Sequence, residues 1–159
     1  MSIADKDIPY RVAYEEAVRA LSRQMALLES FRARAGILLS STALTTSFVG
    51  SRAFDGSNLS PFGWLALIAF VGVSSISLAV LRPRTWEFSA DSRDVVETYI
   101  EGEKPAQIDV IHRDLAIHMH KSCVVNRVGL ERLALLLQIA GGLLTLEVGS
   151  WILTIATGP

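Results

Sequence analysis

The fold is decided by residues 133–156, which read LALLLQIAGGLLTLEVGSWILTIA. This run contains no Lys, Arg, Asp or His, and its 24 residues exceed the roughly 20 that a helix needs to cross a bilayer core of about 30 Å. Its one ionisable side chain is Glu147. The run therefore predicts a membrane-spanning helix that carries a carboxyl group in its interior.

Charged residues are confined to separate blocks of the chain. Of the 159 residues, 50% are hydrophobic and 19% are charged, whereas soluble domains carry about 25% charged residues. Residues 1–34 and 82–132 hold nearly all of the charges, and three windows are almost free of them: 35–51, 56–81 and 133–159. Such segregation is typical of a membrane protein and not of one large soluble core.

These blocks predict an all-α membrane protein with three transmembrane helices. Residues 35–51 and 61–81 would form a transmembrane hairpin (35–81), and 133–156 would be the third span. The span 35–51 is at the lower length limit for crossing a bilayer and is rich in Ser and Thr. Amphipathic helices in 1–34 and 82–132 would make up the cytosolic part.

The distribution of cations predicts the orientation. Of the 15 Lys and Arg residues, 14 lie in 1–34 and 82–132, and only Arg52 lies between the first two spans. The positive-inside rule then places the N-terminus in the cytoplasm and the C-terminus outside the inner (plasma) membrane. The only cysteine, Cys123, allows no intramolecular disulfide, as is typical of a reduced cytosolic thiol.

Two patterns predict the soluble helices. A helix over 7–33, with Asp7 as N-cap and Pro9 in its first turn, would carry an apolar seam with a 4-3-4-3 spacing. The members of this seam are Tyr14, Val18, Leu21, Met25 and Leu28. The seam favours packing within the chain over an intermolecular coiled coil. After Pro105 there is no proline before Pro159, which predicts one long helix or two nearly collinear ones.

Glu147 is the sharpest candidate for a functional residue. A carboxylate at mid-bilayer costs about 2.5–3.5 kcal/mol, which the apolar residues of this span outweigh. We expect Glu147, with Gln138 on the same span, to line or gate a polar path in an oligomer. The alternative is a protonated Glu147 that hydrogen-bonds to a Ser or Thr of the first span.

Small residues four apart predict close helix contacts. Gly141, Thr145 and Gly149 form such a series in the third span, and Gly36 and Ser40 form another in the first. Small side chains let helix backbones approach in membranes, either within one chain or between subunits. The hydroxyl-rich first span has a second interpretation, a polar face that lines a water-filled path.

No enzymatic or metal-dependent chemistry is predicted. The chain has no P-loop, no Gly-rich dinucleotide turn and no nucleophile or zinc-protease motif. No two of its candidate metal ligands are four residues apart on one helix, so neither a metal nor another cofactor is expected. Those candidates are His112, His118, His120 and Cys123. Acidic residues interrupt the basic ones in 82–93, which disfavours nucleic-acid binding.

Two stretches resemble a family of uncharacterised bacterial integral membrane proteins with three spans. They are Leu81-Arg82-Pro83-Arg84-Thr85-Trp86-Glu87-Phe88 and His112-Arg113-Asp114-Leu115-Ala116-Ile117-His118-Met119, followed by Asn126 and Glu147-Val148. The layout is more distantly similar to transmembrane effectors of the Pycsar and SLATT type, in which an N-terminal helix leads through Arg-Ala, here Arg34-Ala35, into a hairpin of spans.

The resemblance implies an antiphage effector that disrupts the inner membrane when a nucleotide signal arrives. This chain carries no appended cyclic-nucleotide-binding domain, so the sensor would be a cytosolic partner or a pocket. We therefore expect a non-enzymatic, homo-oligomeric, signal-responsive or pore-like membrane protein. The alternative is a membrane anchor or scaffold whose helices recruit a cytosolic protein.

Overall fold

A computed structural model of the chain describes residues 3–53, 60–83, 86, 96–101 and 106–157. Over these residues helices are the only regular secondary structure, and there is no β-strand. The elements are α1 (Ile3–Ala53), α2 (Pro61–Leu81), a π-helical turn (Val96–Ile100) and α3 (Ile108–Thr157). The all-α class predicted from the sequence is confirmed.

Two helices are long and apolar enough to cross a membrane. The most apolar stretch of α2 has a mean hydropathy of 2.3, and that of α3 has 1.6. Both correspond to predicted spans, 61–81 and 133–156. The part of α1 that contains 35–51 does not meet the same criterion, so a third span is not shown by length and composition.

The start of α1 differs from the prediction. The helix begins at Ile3, so Asp7 is not its N-cap and Pro9 lies inside the helix. The helix also continues without a break from the predicted soluble segment into 35–51. The Arg-Ala-Arg-Ala sequence at 32–35 explains this continuity, because Arg and Ala are among the strongest helix formers.

The other helix limits follow from local chemistry. The Ser60 hydroxyl caps α2 by accepting a hydrogen bond from the Gly63 amide at 3.2 Å, and Pro61 follows in the first turn. Helix α2 ends at Leu81, just before Arg82 and Pro83. Helix α3 is unbroken, which confirms the one-helix form of the prediction. Within 82–132, where the sequence predicts amphipathic helices, the residues Val96–Ile100 form a π-helical turn before α3.

The chain forms two compact units. The first contains Met1–Leu28 and Arg84–Leu130, and the second contains Glu29–Pro83 and Glu131–Pro159. These limits lie close to the charge boundaries of the sequence. The assignment of the charged segments to the cytosol and of the apolar segments to the bilayer stays a prediction.

The first unit uses only part of the predicted apolar seam. Leu21 and Leu28 are buried, whereas Met25 is 50% exposed. Between them, the Gln24 amide Nε2 donates to the carbonyl oxygen of Cys123 at 2.9 Å. A polar side chain therefore joins α1 to α3 at a position where the heptad pattern placed no contact.

Aromatic rings make further contacts in this unit. The Tyr14 and His112 rings stack with centroids 5.5 Å apart. The Trp86 ring packs against Gly129 so closely that a Cβ atom there would lie 2.9 Å from it. Gly129 is therefore required for this approach.

Candidate functional site

In the second unit, α1 and α3 run side by side in the same direction. Thr42 contacts Glu147, and one turn further on Thr46 contacts Trp151. Helix α2 runs in the opposite direction, because its beginning meets the end of α3: the Ser60 hydroxyl donates to Thr154 Oγ1 at 3.2 Å. A helical hairpin followed by a third segment that runs parallel to the first would have these helix directions.

The Glu147 carboxyl group is fully buried in this unit, with 0% of the residue exposed. The Thr42 hydroxyl donates to its Oε2. The Thr46 hydroxyl donates to its Oε1 at 2.8 Å. Both carboxyl oxygens therefore accept hydrogen bonds from neutral hydroxyls of α1, and the protonated Glu147 of the alternative interpretation stays a prediction.

Trp151 extends this cluster by one turn. Its indole Nε1 donates to Thr46 Oγ1 at 3.4 Å, and the residue is fully buried. The ring packs against Gly50, where an added Cβ atom would lie 3.3 Å from it. We call Thr42, Thr46, Glu147 and Trp151 the polar cluster.

The sequence contains a signal for this cluster in the spacing of its residues. Thr42 and Thr46 are four residues apart, as are Glu147 and Trp151, so each pair lies on one helix face. Two parallel helices that pack through these faces bring both hydroxyls to the carboxyl group. Trp151 and Gly50 were not singled out as a contact from the sequence.

The face of α2 that packs inside the unit consists mainly of small residues. Its buried members are Gly63, Ala66, Ala69, Val73, Ser77 and Val80. A Cβ atom on Gly72 would lie 2.9 Å from the Leu143 side chain, so α2 and α3 are closely packed there. The hydroxyl oxygens of Ser74 and Ser77 are buried and have no hydrogen-bond partner among the described residues.

The predicted packing glycines are not the ones used inside the chain. A Cβ atom on Gly36, Gly141 or Gly149 would meet no atom within 4 Å. Thr145 is exposed, and its hydroxyl donates to the Gly141 carbonyl at 3.1 Å. Ser40 is also exposed. Contact between subunits, the second of the two predicted uses, therefore stays a prediction for this face.

Gln138 lies apart from the polar cluster. Its side chain is exposed and has no hydrogen-bond partner among the described residues, whereas Glu147 is buried. The structure therefore does not bring the two predicted gating residues together. Gln138 instead lines a groove of about 370 Å³ between α1 and α3.

Two grooves open on the surface of the second unit. The groove at Gln138 is lined by Phe31, Arg34, Ile37, Leu38, Ala134, Leu137, Gln138 and Gly141. We call it the Arg34 groove. The other, of about 450 Å³, lies between α2 and α3 and is lined by Phe62, Leu65, Gly142, Thr145, Leu146, Gly149, Ser150 and Leu153. It is the groove to which Gly149 belongs.

The histidines and the cysteine make no metal centre in the described part of the chain, where no three His, Cys, Asp or Glu side chains are grouped closely enough to hold an ion. His112 is stacked on Tyr14. Burial raises the pKa of the Cys123 thiol, which makes it less reactive than a free thiol at neutral pH.

The chain matches no protein-family model, no curated protein and no solved structure. Its function has to be argued from the two apolar helices, the polar cluster and the open grooves.

Proposed function

We propose that the protein is a three-span protein of the inner membrane, with its N-terminus and residues 82–132 in the cytoplasm and its C-terminus outside. The apolar character of α2 and α3 supports this location. The segment 35–51 lies beside α3 and parallel to it, as its hydrogen bonds require. If α3 is in the bilayer, this segment is in the bilayer as well.

The hydroxyls of 35–51 explain why its composition does not meet the criterion for a span. Ser and Thr lower the mean hydropathy, but Thr42 and Thr46 point into the unit, where they donate to a carboxyl group. Hydroxyls that bond across helices are compatible with a membrane interior.

Within the membrane we propose a non-enzymatic, homo-oligomeric effector that responds to a signal by permeabilising the bilayer. The observation that carries this proposal is the buried Glu147. A carboxylate costs about 2.5–3.5 kcal/mol at the centre of a bilayer and adds nothing to anchoring, so its presence favours a role in a polar path. In the arrangement observed, Glu147 is fully buried, and both of its carboxyl oxygens accept hydrogen bonds from α1.

The resting state of such an effector would be closed. Because the two Thr donors are on α1 and the acceptor is on α3, exposing Glu147 to a path requires the two helices to separate. The hydrogen bonds of the polar cluster then hold α1 and α3 together in the resting state. Assembly would use the open face at Thr145 and Gly149, since small residues allow close contact between subunits.

The first unit would receive the signal. It exposes several large apolar side chains, which in soluble surroundings mark interaction surfaces. They are Ile8, Val12, Met25, Leu27, Ile117, Val124, Val125 and Val128. A cytosolic protein, or a partner that carries a nucleotide signal, could bind there.

A second function is favoured by the same surface. If the polar cluster only stabilises the unit, the protein is a membrane anchor or scaffold that recruits a cytosolic partner through the first unit. In that case no permeation accompanies its expression.

Membrane potential in bacteria that express the protein separates the two functions. We expect the wild type to depolarise the cells and Glu147→Gln to abolish the effect at equal abundance in the membrane. Thr157→Val is the matched control, because this hydroxyl is on the same helix but bonds only to its own backbone. It should behave as the wild type does.

The remaining outcomes are also decisive. Depolarisation by both the wild type and Glu147→Gln would support the effector function but would show that Glu147 does not line the path. If the wild type leaves the potential intact even with the cytosolic signal supplied in phage-infected cells, the anchor function is favoured. Co-purification of one soluble partner would then identify what is anchored.

A further inference from the structure

The Arg34 groove combines one cation with an apolar wall. Its lining consists of Arg34, Gln138 and six apolar residues, and it contains no acidic side chain. Arg34 is exposed and forms no ion pair with any described carboxylate. The guanidinium therefore offers its full charge and its planar set of N–H donors to an external anion.

The position of Arg34 suits a lipid headgroup. It is the last charged residue before the charge-free segment 35–51, so it lies at the cytoplasmic boundary of the proposed span. Gln138 is on the opposite side of the groove and also has a free, exposed amide. Because a polar amide that faces lipid tails is costly unless it is bonded, a bound phosphate or glycerol group would satisfy it.

The rest of the groove suits an acyl chain. Ile37, Leu38 and Gly141 follow Arg34 and Gln138 along α1 and α3, so they form the wall on the side of the proposed bilayer interior. Gly141 leaves space there, since a Cβ atom on it would meet nothing within 4 Å. A polar pair followed by an apolar wall toward the bilayer interior matches the phosphate and the acyl chain of a phospholipid.

From this geometry we infer that the Arg34 groove binds one anionic phospholipid of the cytoplasmic leaflet, with its phosphate on Arg34 and an acyl chain along Ile37 and Leu38. Basic pockets between transmembrane helices on the cytoplasmic side bind anionic headgroups in this way. The inference rests on the membrane location proposed above. It does not depend on whether the protein permeabilises the bilayer.

Lipid titration of the purified full-length protein tests this site. Thermal unfolding is followed in a neutral detergent while phosphatidylglycerol, phosphatidylcholine or inorganic phosphate is added. We expect phosphatidylglycerol to raise the midpoint of unfolding and the other two to leave it nearly unchanged. Loss of the charge-assisted bond in Arg34→Gln should raise the phosphatidylglycerol concentration at half-maximal shift about tenfold or more.

Matched variants separate the groove from general charge and bulk. Arg132→Gln removes a cation next to the start of the third span that does not line the groove, and it should titrate as the wild type does. Ile37→Trp adds bulk to the wall and should weaken the lipid effect. Phe48→Trp alters another exposed apolar residue of α1, outside the groove, and should not.

Several results would overturn the inference. An equal loss in Arg34→Gln and Arg132→Gln would mean attraction to surface charge only. If inorganic phosphate raises the midpoint of unfolding as much as phosphatidylglycerol does, the acyl chain makes no contribution. If the phosphatidylglycerol titration is unchanged in both Arg34→Gln and Ile37→Trp, the lipid does not bind in this groove. Alkaline carbonate extraction tests the location separately: a membrane-embedded protein with no lipid effect overturns only the site, whereas a fully extracted protein overturns both proposals.

Discussion

Replacing Thr42 by Val tests whether the polar cluster holds α1 and α3 together. Valine has nearly the shape of threonine, so the change removes the donor to Glu147 Oε2 and leaves the packing intact. A buried polar group that loses its partner costs about 1–3 kcal/mol in soluble proteins. Interhelical hydrogen bonds in membranes are weaker, at about 0.6 kcal/mol on average and about 1.7 at most.

A double-mutant cycle isolates this bond. Glu147→Leu leaves both hydroxyls without their acceptor, although each can turn to its own helix backbone. The variant that combines Thr42→Val with Glu147→Leu leaves no group of this pair unsatisfied. We therefore expect it to be more stable than the sum of the single changes predicts, by about 0.6–1.7 kcal/mol.

The assay is unfolding of the purified protein by sodium dodecyl sulfate in mixed micelles, followed by circular dichroism. Thr145→Val serves as the control, since Thr145 is exposed and bonds to the Gly141 carbonyl of its own helix. It should be nearly neutral and additive with Glu147→Leu. If Thr42→Val is also additive with Glu147→Leu, to within about 0.3–0.5 kcal/mol, the hydrogen bond does not couple the two helices. The polar cluster then does not hold the resting state closed.

Three further predictions concern other parts of the chain. Gly149→Leu should leave monomer stability unchanged, because a Cβ atom there meets nothing within 4 Å, but it should reduce the fraction of chemically cross-linked oligomers. Gly50→Leu should lower the free energy of unfolding in detergent by about 1–3 kcal/mol, since an indole ring lies 3.3 Å from that Cβ position. Burial, with the charge of Asp114 and a hydrogen bond to it, raises the pKa of the Tyr99 hydroxyl, so the unfolded chain loses this proton at a lower pH than the folded chain does. The free energy of unfolding should therefore fall as pH rises above about 10. Tyr99→Phe should make that fall less steep in thermal melts recorded at increasing pH. Burial likewise raises the pKa of Cys123, so maleimide should modify it more slowly at pH 8 than an unfolded-state thiol, and equal rates would contradict its burial.

The sequence predicted the helices well because their signals are local. The absence of proline after Pro105 was enough to predict an unbroken α3, and the apolar run at 61–81 predicted α2. The prediction of an N-cap at Asp7 was wrong, because α1 begins four residues earlier, at Ile3, and continues through Pro9.

The pairing of helix faces could not be predicted from one chain. Gly141 and Gly149 have the spacing of a packing motif, and so do other small residues, but the close approaches in the second unit occur at Gly50 and Gly72. Which glycine meets a neighbour depends on the rotation of each helix about its axis. The observed rotation brings Glu147 to Thr42 and Thr46, which are more than 100 positions away in the chain.

Helix α3 therefore has two separate faces within one proposed span. The inner face carries Ala140, Glu147 and Trp151, all buried against the rest of the same chain. The outer face carries Gly149, which has open space beside it. Changes on the inner face should alter folding and any permeation in a single subunit, whereas changes on the outer face should alter assembly alone. The proposed effector needs both faces of α3. Separation of α1 from α3 exposes one carboxyl group per subunit, and only an oligomer can arrange several of these groups around a path.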